Sequence, residues 1–265
     1  MEGQVTERPR SLLPAVPWTM SDIVKSIGMV LGLFIVILVA TFIAVLLIAV
    51  GMLYGSGGIE PESIEQLLTS AEFMQRVVLV SLIASVLMQG AIFFGAWFFS
   101  LRKYKCGWRA LGFHSFEVKR ALIFVPVALV LAILVNLIYE WVLTSFGVEL
   151  SPSLPPEFTQ GIANMAIVSS LAIFVAPFAE ETFFRGFLFA GISERFGYVW
   201  GALLSALLFG FLHFLTSLQW SVFLPIFLLG IILAWLYFKT GSLWPCVITH
   251  FVYNLLAILL TLLLP

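Results

Sequence analysis

Seven apolar stretches, most of about membrane-spanning length, occupy nearly two thirds of this chain, and that pattern leaves it very few ways to fold. They cover roughly residues 26–54, 77–101, 121–146, 161–190, 197–215, 222–238 and 243–264. About 20 apolar residues at 1.5 Å rise suffice to cross a bilayer core. Of the 265 residues, 62% are hydrophobic and only 10% are charged, too few to clothe a water-facing surface. The fold class predicted is all-α, a polytopic transmembrane bundle of seven or eight helices. The uncertainty in number comes from Pro177, which either kinks one long helix or separates a crossing at 161–176 from a helix starting near 178.

The chain divides into a flexible N-terminal arm at 1–21, N-terminal transmembrane helices at 22–160 and a core at 161–265. Pro9, Pro14 and Pro17 disfavour a helix in the arm, and Ser21 or Asp22 is placed to cap the first one. That first apolar run is too long for a signal-peptide core, so no cleaved leader is expected. Lys and Arg gather in the arm and between 102 and 120, where Arg102, Lys103, Lys105, Arg109, Lys119 and Arg120 lie. The loops at 55–76 and 147–160 are acidic and share one basic residue. Short basic loops stay in the cytoplasm, which puts the arm and 102–120 on that side. A net charge of −1 offers nothing to neutralise phosphates, so no nucleic-acid partner is expected. Cys106 and Cys246 are read as free thiols.

Ionisable groups in apolar spans are costly and mark function by default. Three clusters stand out. Glu180, Glu181 and Arg185 fall within one and a half helical turns, Phe209 precedes His213 by four residues, and His250 precedes Asn254 by four. Glu181 and Arg185 share a helix face and can form an ion pair, with the acid in the favourable N-terminal position. Glu180 projects about 100° away and is left without a dedicated cation. Burial of an unpaired carboxylate disfavours its charged form, a condition for a general base near neutrality. Spacing alone does not choose between that role and a mutually satisfied structural network. His250 and Asn254 offer an imidazole and an amide, donors suited to an oxyanion, or equally to a polar clamp between helices.

Glu180 and His213 average to position 196.5, so a helical hairpin turning at Phe196-Gly197 would bring them level. His250 fits less easily. It lies about seven residues into its helix against about sixteen for His213, a depth difference of about 13 Å that a break or tilt near Pro225 and Gly230 would remove. Two histidines and a glutamate could also suit zinc, but HExxH is absent and the candidates come from three helices. No GxSxG elbow accompanies Ser205 or Thr182.

Taken together, the ordered motifs Glu180-Glu181-x-x-x-Arg185, Phe209-x-x-x-His213 and His250-x-x-x-Asn254 resemble the signature of the CAAX-prenyl-protease and bacteriocin-processing (Abi) family of intramembrane proteases. The resemblance implies a glutamate-dependent endopeptidase acting within a prokaryotic cell membrane on a hydrophobic or lipidated peptide or protein. It assigns Glu180 as the base that activates water, assisted by His213, with His250 and Asn254 stabilising the oxyanion. Glu181, Arg185 and Phe209 would shape the site. It implies no metal and no cofactor. The alternative reading of the same polar residues is a transporter or bacteriocin-immunity protein that moves protons or binds a peptide without cutting it.

Overall fold

The structure is a computed structural model that describes residues 13, 15–55, 60–148 and 161–263. Among these residues there are eight helices and no strand. Seven are long and apolar enough to cross a membrane: α1 Met20–Gly55, α3 Ala71–Arg102, α4 Val118–Ser145, α5 Ala163–Phe196, α6 Tyr198–Ser217, α7 Trp220–Thr240 and α8 Trp244–Leu263. The short α2, Pro61–Thr69, joins α1 to α3. Backbone groups in hydrocarbon must be satisfied internally, and helices achieve this without a partner strand. The chain is a multi-pass membrane protein whose outer faces carry exposed apolar side chains such as Val36, Phe42 and Leu122.

Pro177 does not divide α5. The helix runs through it, with wider π turns at Leu171–Val175 and Glu181–Phe189. Such turns absorb the backbone irregularity and recur at functional sites. Among the described residues the helices long and apolar enough to cross therefore number seven. Likewise α7 is unbroken past Pro225 and Gly230.

Residues 1–12 and 14 of the expected arm lie outside the described residues. Its end is tied to the bundle: Trp18 is buried, and its Nε1 donates to Phe187 O at 3.0 Å. Neither Ser21 nor Asp22 is the N-cap of α1. Thr19 holds that position, and Asp22 reaches back from the first turn to accept from Thr19 N at 3.0 Å. Asp22 N donates to Thr19 Oγ1 at 3.4 Å, completing a reciprocal capping box. Lys103 and Tyr104 also donate to Asp22, tying the start of α1 to the end of α3. The Asp22 carboxylate holds the Lys103 ammonium above its usual range.

Gly197 forms the turn between α5 and α6 with φ +85°, a conformation glycine adopts without a Cβ penalty. The two helices then run antiparallel, and Phe184 meets Phe209 at 4.8 Å between ring centroids. Helices α6 and α7 approach closely because Gly230 lies against Ala206, where a Cβ would fall 2.8 Å from that alanine's own.

Candidate active site

The antiparallel hairpin puts Glu180 and His213 on the wall of one cavity of about 430 Å³, together with His250 and Asn254 from α8. A smaller cavity of about 130 Å³ also reaches Glu180 and His213 from the side of Phe34 and Leu212. Glu180 is 4% exposed. Gln89 of α3 donates from Nε2 to Glu180 Oε1 at 2.8 Å. Among the described residues the carboxylate has no Lys or Arg partner, and His250 Nε2 lies 3.8 Å from its Oε2.

Glu181 faces away and carries more than the expected pair. Arg185 Nη1 donates to its Oε1 at 3.0 Å, and His250 Nδ1 donates to the same oxygen at 2.9 Å. Arg185 is fully buried, with its guanidinium 4.5 Å above the Phe209 ring and Nη2 donating to Gly230 O at 3.4 Å. Charge, ring face and carbonyl together hold a cation that would otherwise be costly at this depth. Because Nδ1 of His250 is bound to Glu181, its other nitrogen is the one turned to Glu180. This carboxylate-imidazole pairing fixes the orientation of the ring.

His213 is fixed in a comparable way by a different acceptor. Its Nδ1 bonds Phe209 O at 2.9 Å; a carbonyl only accepts, so the proton sits on Nδ1 and Nε2 carries the free lone pair of the neutral ring. Phe209 stands edge-on between the two imidazoles, 4.6 Å from His213 and 6.1 Å from His250 by ring centroids. Both histidines line the same cavity despite the depth difference anticipated from their places in the helices. No break in α7 brings them there. Instead α8 begins inside the bundle, where Leu243 N donates to Gly112 O at 2.9 Å in the loop after α3. Asn254 Nδ2 donates to Ala172 O at 2.7 Å, beside a π turn of α5. A primary amide has two N–H groups, which leaves one for a ligand.

Glu140, near the end of α4, is exposed, as a residue reaching the membrane interface would be, and accepts from Asn136 Nδ2 at 2.7 Å. Gln89 was missed by motif reasoning. Its one visible signal was being the lone amide within the apolar run 77–101. Among the described residues no three His, Cys, Asp or Glu side chains are grouped to hold a metal ion.

Residues 162–256 match a family model described as type II CAAX prenyl endopeptidase Rce1-like. That segment is similar to the Rce1-like family. It contains all seven residues singled out by their spacing, from Glu180 to Asn254. An uncharacterized protein of Mycoplasma capricolum is 30% identical over 158 residues, covering 54% of this chain and 45% of its own length. A Bacillus subtilis protein named "Putative membrane peptidase YdiL" is 28% identical over 103 residues, 39% of each chain. The aligned parts therefore span less than half of either relative. No solved structure matches.

Proposed function

We propose that this chain is an intramembrane endopeptidase of a prokaryotic cell membrane, cutting a hydrophobic or lipidated peptide or protein with water activated by Glu180. One observation carries the reading: a buried carboxylate with no Lys or Arg partner among the described residues lies on a cavity wall shared with two imidazoles whose Nδ1 atoms are both committed elsewhere. The Rce1-like match and the relative's peptidase name support the same reaction class.

Glu180 takes a proton from water as the oxygen adds to the scissile carbonyl, and His213 Nε2 orients that water. The oxyanion so formed meets the second N–H of Asn254 and Nε2–H of a protonated His250, whose positive charge Glu181 balances. Arg185 in turn balances Glu181. The proton held by Glu180 then passes to the leaving amine as the C–N bond breaks. A positioned base contributes about 10²–10⁴-fold, and each oxyanion donor about 10²–10³-fold. The catalytic unit is residues 161–265, with Gln89 reaching in from α3 to position the base.

The test is cleavage of prenylated and unprenylated hydrophobic peptides by the purified protein in liposomes. Glu180→Gln should lose at least about 10²-fold in rate at an unchanged melting temperature. Cleavage by that variant at the wild-type rate would remove Glu180 from the mechanism.

A further inference from the structure

The fold joins two features that the chain alone keeps apart, the side of the membrane and the direction in which the cavity opens. Pairing of Asp22 with Lys103, and of Trp18 with Phe187, puts the start of α1, the end of α3 and the later part of α5 at one end of the bundle. Ser242 Oγ donates to His114 O at 2.7 Å and places the turn before α8 there too. Lys25, Arg195 and Lys239 join the six basic residues of 102–120 at this end. Among the described residues the opposite end carries Arg76, paired with Glu72, as its basic side chain. By the charge rule the Lys- and Arg-rich end is cytoplasmic.

The main cavity extends the other way. Helix α5 runs toward the basic end, and the cavity is lined by residues that precede Glu180, including Val168 and Ala172. Helix α8 runs away from that end, and the lining continues beyond Asn254 to Thr261. On α3, Leu82 lies on the wall, toward the helix's far end. A separate cavity of about 530 Å³ at the basic end, against Trp18, Gly191 and Arg195, does not include Glu180, and packed side chains lie between the two. Leu111, Phe183, Phe187, Phe189, Tyr237 and Leu243 are fully buried there, and no residue of the 102–120 loop lines the main cavity.

We infer that the catalytic cavity opens on the non-cytoplasmic side, and that its substrate is a hydrophobic peptide segment presented from the outer half of the bilayer after translocation. The substrate class rests on the endopeptidase reading, whereas the sidedness does not. A peptide lipidated and retained in the cytoplasm would meet the packed floor instead of the opening.

Sidedness is read by labelling intact cells that express the full chain with a membrane-impermeant maleimide. Cys106 lies in the basic loop and Cys246 is fully buried. The unaltered chain should therefore label only after permeabilisation. The variant Cys106→Ser/Thr261→Cys should label in intact cells. The reverse pattern, or equal labelling of both, overturns the inference. A companion pair of membrane-anchored reporters carries a peptide that the purified protein cuts, facing outward in one and inward in the other. Only the outward form should be cleaved, and cleavage of the inward form alone or of both forms sinks the substrate assignment. Labelling needs no catalysis, so its failure is separable from failure of the protease reading.

Discussion

Gln89→Met tests whether the site was correctly extended beyond its motifs. The substitution keeps length and flexibility but removes the N–H that donates to Glu180 Oε1 at 2.8 Å. A hydrogen bond to a charged group contributes about 1.5–3 kcal/mol. Each 1.36 kcal/mol of barrier is tenfold in rate, so complete loss of that bond from the transition state alone would cost about 10- to 150-fold. The bond is already present in the resting site and its energy cancels to that extent, so the expected fall in kcat, about tenfold, comes from the base losing its position. Peptide contacts elsewhere on the cavity wall are untouched, so KM should stay constant. The assay is steady-state cleavage in liposomes with a parallel thermal melt. Wild-type kcat in a folded Gln89→Met protein would refute the positioning role, as would a rise in KM with kcat unchanged.

Other outcomes follow from the buried charges and the close helix contact. Glu181→Leu or Arg185→Leu alone leaves an uncompensated buried charge and should destabilise by about 3–5 kcal/mol, while the double variant should lose much less than the sum. Chemical denaturation in micelles measures this, and additive losses would show that the pair is not coupled. Gly230→Ala introduces a methyl 2.8 Å from Ala206 Cβ and 2.9 Å from its Cα, and should cost about 1–3 kcal/mol with little recovery in Gly230→Ala/Ala206→Gly, because the backbone contact remains. Full recovery would show that the alanine methyl alone carries the strain.

Much of the site was legible because ionisable residues are rare in apolar sequence. Helical spacing alone paired Glu181 with Arg185, and the symmetric placement of Glu180 and His213 about Gly197 brought them level once the hairpin closed. The motif pattern also pointed to the family that residues 162–256 match. Gln89 stayed hidden because its partner is 91 positions away, beyond any periodic signal. The link between His250 and Glu181 was hidden too: spacing had already given Glu181 a partner, and a carboxylate oxygen can accept twice.

The sequence by itself determined the solvent, because apolar runs of spanning length can satisfy their backbones in lipid only as helices or closed barrels, and these runs are of helical length. It also determined which loops are basic, and so which end the charge rule assigns to the cytoplasm. Tertiary structure decided what those facts mean for the chemistry. The register of α8, set by Leu243 against Gly112, carries His250 to Glu181, and the dense layer around Phe183, Phe187 and Tyr237 closes one end of the cavity. Both depend on how helices distant in the chain pack side by side, which local spacing does not encode.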